Sequence, residues 1–416
     1  ILPYSSGRTI DGNLRKIGND LYRLYVSKTA FTQNVRAGHI ITGRAAAGNN
    51  LTITNCSDLY FEDFTMYNGM NGIFESNAEK GSDYENLRIV PGPKPELATM
   101  ERLRSVNGTG YFARGTRLGG TINNSEISAT NDDGINIHAA YDRVAAVEGN
   151  KTYVIAASGS TAAFRVGDEL RFTTYQGAIL GEAKVVSSTK LTGYVPSSSF
   201  TSFNPSGGYY RVVLDKEIAG AQFGDRSCNM NTLLSGLKIT NCRFADNSPR
   251  AILTHAIDST IENCEFVNVR RWAILAAPEL PTWNEGDYMR NLTIKNCTFT
   301  GNARGYDTKM AAIGIWGEPT MTSNFKGNQN IDIINNTFDD SYLYDIVLAY
   351  VTDATVSGNT FGSQHADSAG YNIPEAACID LYYADQVTFS GNTFKDASRT
   401  KVQVGDDVTN ITGLPQ

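Results

Sequence analysis

Charge is scarce in this sequence: only 19% of its 416 residues are Asp, Glu, Lys or Arg, and the formal net charge is −7. No basic run occurs anywhere, which excludes nucleic acid and an anionic membrane surface as partners. No stretch of 18 or more apolar residues is present, so no segment has the length and polarity of a membrane-spanning helix. Proline is sparse at 12 residues, and no long amphipathic helical pattern appears. The six cysteines (Cys56, Cys228, Cys242, Cys264, Cys297, Cys378) never stand in C-x-x-C spacing. Zinc and redox motifs are thereby unsupported, and neither a metal nor a cofactor is expected. Tryptophan is absent from the first 271 residues.

What is plentiful is Gly (39 residues), Asn, Ser and Thr, a composition of short strands and tight turns. Six segments share one template: LKITNCRF (237–244), STIENCEF (259–266), LTIKNCTF (292–299), IDIINNTF (331–338), ATVSGNTF (354–361) and VTFSGNTF (387–394). The intervals between their closing phenylalanines are 22, 33, 39, 23 and 33 residues. A constant minimum with variable excess describes one coil of fixed size carrying loops of different length. Strand-like repeats of this kind predict an all-β fold, a right-handed parallel β-helix with coils about 4.8 Å apart. The column Cys242, Cys264, Cys297, Asn336, Asn359, Asn392 and the phenylalanine column are expected to be core stacks. Disulfides between neighbouring coils stay open at this point.

Between His138 and about Asn231 the repeat disappears. Alternating strands joined by Gly and Ser turns replace it, including FRVGDELRF (164–172), a phrase typical of a small closed barrel or sandwich. The expected organisation is therefore a β-helix over 1–138 and 232–416, with a small β-barrel domain inserted at 139–231.

The repeat is also broken by chemistry. NDDGINIH (131–138) places Asp132 and Asp133 side by side, followed by Asn136 and His138. Aligned on the template, INNSEISATNDDGINIH falls over ITNCRFADNSPRAILTH, which sets His138 beside His255 and the acid pair beside Pro249 and Arg250. Later coils add Arg271, Trp272 and Asp345 on the same side. The loop after Ala277 brings Trp283 and Glu285, and the loop after Gly301 brings Arg304, Asp307 and Trp316. Tryptophans near carboxylates and arginines suit a sugar, whose apolar face stacks while its hydroxyls take polar partners. Glycoside hydrolysis needs two carboxyl groups, one protonated and one ionised, and adjacent acids push one pKa upward. Acids two coils apart would be separated by roughly 9.6 Å, near the upper end of the range of about 6.5–9.5 Å for inverting enzymes.

The acid run, the inserted β domain and NVRRWAILAAPELPTWNEGDYMRNLTIKNCTF (268–299) together resemble glycoside hydrolase family 110. The resemblance spans about Tyr22 to Phe299. It implies a right-handed β-helix exo-α-1,3-galactosidase with an inserted barrel. The family's DD-x-x-N-x-H run maps onto Asp132, Asp133, Asn136 and His138, and its W-x-E phrase onto Trp283 and Glu285. The family's upstream acid maps onto Thr109. Either Glu285, Asp307 or Asp345 then supplies that carboxyl, or the linkage differs, or activity is lost.

Taken together, the expected catalytic residues are Asp132, Asp133, Glu285, Asp307 and Asp345. The expected substrate-binding residues are Asn136, His138, His255, Arg271, Trp272, Trp283, Arg304 and Trp316. The partner is an oligosaccharide or polysaccharide, the compartment secreted or periplasmic in a bacterium, and the oligomeric state open, dimer and trimer included. Two other readings compete. A polysaccharide lyase or epimerase would use Arg271 or His255 as base and the Asp pair as Ca²⁺ ligands. A non-catalytic, tailspike-like solenoid would bind glycan without turnover.

Overall fold

The computed structural model describes residues 14–19, 21–24, 48–159, 164–200, 202–280, 283–304, 309–317, 325–366 and 375–415. The chain divides into two compact units, Ile1–Arg44 and Ala45–Gln416. In the first, the strands Leu14–Gly18 and Leu21–Leu24 pair antiparallel, a hairpin rather than a stacked coil.

The second unit is a parallel β-helix. Its inward-facing side chains form three columns. One runs Ile122, Ile239, Ile261, Ile294, Ile333, Val356 and Phe389. The next is the phenylalanine column, from Phe244 through Phe266, Phe299, Phe338 and Phe361 to Phe394. Its rings stack 4.8–5.2 Å apart and within 12° of parallel. The third runs Ile135, Ile252, Ile274, Ile313, Ile346 and Ile379. In-register stacking is what a parallel ladder imposes on a repeating sequence, because each residue lies beside its equivalent one coil away.

The turn between the first two columns explains the template. Asn124, Asn241, Asn263, Asn296 and Asn335 all have φ between 50° and 56°, and Gly358 and Gly391 have φ of 65° and 62° at the same place. Left-handed backbone favours Asn and Gly, so the sharp bend selects the residue. The next position is the Cys/Asn column, and all six cysteines are free thiols. Cys242, Cys264 and Cys297 each donate Sγ–H to the carbonyl two residues back, at 3.1, 3.3 and 3.3 Å. Further along, Asn359 Oδ1 accepts from Asn336 N (2.8 Å) and Nδ2 (3.1 Å). The column is thus a hydrogen-bonding ladder.

A closed six-stranded antiparallel barrel interrupts the coils, with strands from Asp142–Gly149 to Arg226–Asn229. Its interior holds Val144, Tyr153, Ile155, Phe164, Leu170, Phe172, Val212 and Leu214. The chain re-enters the solenoid through a short 3₁₀ turn, Met230–Thr232, and the strand Leu233–Ser235, which pairs with Thr116–Leu118.

Candidate active site

The strand Ile135–Ala140 belongs to the third column but overruns its coil. Its inward residues are Ile135 and Ile137, so Asn136 and His138 stand on the outer face. Parallel neighbours put Phe112 and Arg114 beside Asn136 and His138 on one side, and Leu253 beside Asn136 on the other. The overrun then pairs antiparallel with Glu285–Gly286, aligning Ala140 with Glu285 and Ala139 with Gly286. A loop 145 residues downstream of Ala140 is thereby laid over the acid run.

The resulting cluster is a chain of polar contacts. Asp133, 1% exposed, receives Arg250 in a fork, Nε to Oδ1 at 2.7 Å and Nη2 to Oδ2 at 3.0 Å. The free end of the guanidinium, Nη1, donates to Glu279 Oε1 at 2.7 Å. Asn136 Nδ2 donates to Asp133 Oδ2 at 3.1 Å. A carboxylate only accepts, so the Asn136 amide must face it with nitrogen and turn its oxygen to His138. That orientation assigns a proton to His138 Nδ1, which lies 2.9 Å from Asn136 Oδ1. Burial keeps the His138 imidazole neutral, its pKa far below the ordinary value, and His255 and Arg114 push the same way. The 3.4 Å approach of His138 Nδ1 to Glu285 Oε2 is therefore not an ion pair.

Glu285 is the unusual group. Its side chain is 14% exposed, and Oε2 has no hydrogen-bond partner. Burial raises its pKa to about 8, and the negative charges of Glu279 and Asp133 add to the effect against the opposing pull of Arg250. One guanidinium faces three carboxyl groups, and the third keeps its proton at neutral pH. Burial likewise lifts Asp133, to about 6, with Arg250 opposing, so Asp133 is an anion at pH 7. A protonated carboxyl beside fixed ionised ones is the arrangement that general acid catalysis requires.

The other expected residues divide. Asp132 is half-buried beside Asp133, its Oδ1 accepting from the Asp133 amide at 3.2 Å. Trp283 is 58% exposed, two residues ahead of Glu285. Thr109 is in register with Asp133, because Tyr111 pairs with Ile135. Arg271 is exposed where its coil leaves Arg250's neighbour Trp272. Asp307 lies outside the described residues.

Six expected residues are engaged in other contacts. Asp133 is 1% exposed, with Arg250 on both of its oxygens and Asn136 on Oδ2. His255 is fully buried, its Nδ1 at 3.1 Å from the Ile137 carbonyl and its Nε2 against that of Ala277. It cannot touch substrate or serve as a lyase base. Asp345 is buried and pairs with Arg399 Nη1 at 2.8 Å, inside the wall of later coils. Trp272 is 8% exposed and lies against Gly314, where any Cβ would fall 2.2 Å from the indole. Trp316 is half-buried between Trp272 and Tyr382, and Arg304 donates to Tyr342 Oη at 2.8 Å. The tryptophans of these coils share an apolar cluster with Leu253, Leu275 and Leu280 along the same outer wall as the site.

Sequence reasoning missed Arg114 and its two platforms. The guanidinium lies 5.1 Å from the Phe74 ring and 5.6 Å from the Phe112 ring, and burial lowers its pKa while Glu285 opposes that. The phrase YFAR (111–114) aligns with INIH (135–138), but the early coils lack the Asn-Cys template that would have shown the register.

Residues 227–413 match the family model described as a right handed beta helix region. The fold is a right-handed parallel β-helix with a closed six-stranded barrel. No curated protein matches the sequence. Among solved structures, the catalytic unit of a thermostable GH87 α-1,3-glucanase from Streptomyces thermodiastaticus aligns at 9% identity and TM-score 0.32, covering 89% of this chain. This chain spans 62% of that unit's length. The Streptococcus pneumoniae surface protein and adhesin PfbA aligns at 12% identity and TM-score 0.34, over 88% of this chain and 87% of that one. A tailspike of Acinetobacter baumannii bacteriophage AP22, in complex with capsular saccharide, aligns at 9% identity and TM-score 0.25, over 87% and 63%. Likeness at this level carries no information on chemistry.

Proposed function

We propose that this chain is a glycoside hydrolase in which Glu285 is the proton donor to the leaving oxygen. The observation that carries the reading is the buried Glu285 carboxyl, with an unpartnered oxygen, beside the Asp133–Arg250–Glu279 cluster, where burial raises its pKa. Asp132, half-buried in the bend ahead of the strand Ile135–Ala140, is the partner that takes a proton from water. Asp133 holds Arg250 and Asn136 in place and does not meet the sugar. Arg114 and His138 line the outer face, and Trp283 offers an exposed ring for a sugar face. The substrate class that the resemblance to glycoside hydrolase family 110 supports is an α-galactoside, cleaved from the chain end with inversion. A secreted or periplasmic bacterial setting suits such a glycan.

The test is release of monosaccharide from a panel of α-galactosides and other α-glycosides, with the anomer followed by proton NMR. Glu285→Gln is expected to lower kcat by about a hundred- to ten-thousandfold with KM little changed. Wild-type turnover in that variant removes Glu285 from the reaction.

A second reading, a glycan-binding solenoid, is favoured by one feature: Thr109 stands in register with Asp133, where the family resemblance implies an acid. Saturable binding of the same glycans without any product would select it.

A further inference from the structure

The barrel's part in this molecule is written in its arginines. Two of the largest fully buried side chains are Arg171, on the strand Glu169–Thr173, and Arg226, on the strand Arg226–Asn229. A guanidinium is buried only where several acceptors converge on it. Part of that set is the barrel's own: Arg171 Nε donates to Glu182 Oε1 at 2.7 Å and Arg226 Nε to the Tyr175 carbonyl at 3.1 Å. The remaining acceptors come from outside it, from Leu280, Asn284 and Asp287. Arg226 Nη2 donates to the Leu280 carbonyl at 3.2 Å, and Nη1 to Asn284 Oδ1 at 3.3 Å. Arg143, on the first barrel strand, donates Nη2 to the same Asn284 Oδ1 at 3.1 Å. Arg171 Nη1 lies 3.1 Å from Asp287 Oδ2, and Tyr141 Oη donates to Asp287 Oδ1 at 2.6 Å.

Glu285 sits between these anchors. The Asn284 side chain faces the barrel, Asp287 faces it again, and the intervening pair Glu285–Gly286 joins the strand that carries His138. The Asn284 carbonyl also receives the Tyr141 amide at 3.0 Å. Gly286 lies flat on Tyr141, where a Cβ would meet the ring at 2.5 Å. Among the described residues, its other backbone bonds are a bridge between Glu279 and Glu285 and the two-residue pairing with Ala139 and Ala140.

We infer that the barrel is a positioning domain for Glu285, acting through Arg143, Arg171 and Arg226 on the segment 280–287. The inference rests on Glu285 being the acid. What the arginines supply is a fixed, water-poor seat for a carboxyl that would otherwise ride on a loop. Losing that seat admits water to Glu285, which lowers its pKa toward the ordinary value, and it moves the proton away from the leaving oxygen.

Two variants of the full chain test this. Arg226→Met acts from the barrel side. Asn284→Gly acts from the loop side and leaves the barrel interior intact; its φ of 58° is one that glycine adopts freely. Hydrogen exchange of peptides covering 280–287 reads the loop directly, without reference to activity. Exchange there is expected to accelerate on the order of tenfold or more, with peptides covering 292–300 unchanged. In the same variants kcat is expected to fall on the order of a hundredfold with KM less affected, and the basic limb of the pH–rate profile to move to lower pH. Asn284→Asp keeps an acceptor for both guanidiniums but loses the amide's donation to the Tyr141 carbonyl, so it is expected to restore both readouts only in part. Unchanged exchange in both variants overturns the inference. So does faster exchange with an unmoved pH–rate profile, which leaves the barrel a brace. Full activity in Glu285→Gln sinks the proposed acid instead, and the exchange result then stands by itself.

Discussion

At the scale of single residues, Glu285 makes the sharpest claim. Its folded pKa of about 8 exceeds the ordinary 4.5, so the folded protein binds more protons than the unfolded chain between those limits. Stability therefore falls as pH rises through that window and has nothing left to lose above it. At about 1.4 kcal/mol per tenfold in acidity, the penalty approaches about 5 kcal/mol above pH 8. Glu285→Gln carries no such penalty. Urea titrations are expected to show the variant gaining on wild type steadily from pH 5 to 8, with the two curves parallel below pH 4. A constant difference across that range would mean that Glu285 is ionised in the folded protein. The sequence exposed this residue only through a W-x-E phrase, and it exposed Asp132, Asp133, Asn136 and His138 because they are contiguous. The Arg250 fork and the Arg114 platform depend on contacts between coils, which a linear reading reaches only when both coils carry the template. His255 shows the opposite error: it does align with His138, yet two carbonyls occupy its ring.

At the scale of elements, the solenoid was legible because its turns are chemically demanding. A left-handed bend repeated at Asn241, Asn263, Asn296, Asn335, Gly358 and Gly391 leaves a mark that variable loops cannot erase. The phenylalanine stack carries the matching energetic load. Phe266 is fully buried, with Phe244 at 5.1 Å on one side and Phe299 at 4.8 Å on the other. Phe266→Ala is expected to cost about 3–5 kcal/mol, because two rings lose their partner and flanking coils cannot close the gap. Chemical denaturation measures it directly, and a loss below about 1 kcal/mol would show a core that collapses around the cavity. The tryptophans were harder to read for the same physical reason that made the coils easy. An outward position on a coil tells nothing about the loop that covers it, so Trp272, packed on Gly314, and Trp283, largely exposed, look alike in one dimension.

At the scale of the whole molecule, the question is whether solenoid and barrel open as one body, and the cysteines report on each. Cys56 is exposed and the other five are buried. Burial holds the Cys228 thiol above the ordinary range and Cys378 at about 12. At Cys264 the hydrogen bond with Cys242 lowers the pKa, but the one with Cys297, helped by burial, outweighs it and leaves the thiol raised, so none of these three is a thiolate in the native protein. Native protein should accordingly take one equivalent of thiol reagent, at Cys56. Cys242, Cys264 and Cys297 lie on three successive coils, and stacked coils protect one another, so their release should share one midpoint in urea. Cys228 reports a different event. It is on the last barrel strand and packs with Tyr141, Leu280 and Tyr288 at the junction with the coils. Separation of the barrel uncovers it, whereas the column needs the coils themselves to open. That junction rests on buried arginines beside the apolar cluster, and it is expected to open before the stacked coils do. Pulsed labelling read by mass spectrometry should find Cys228 modified at lower urea than the column, with Glu285 activity lost in the same step. Release of all four thiols at a single midpoint would instead make barrel and solenoid one cooperative unit, and the segment holding Glu285 would then be as stable as the core beneath it.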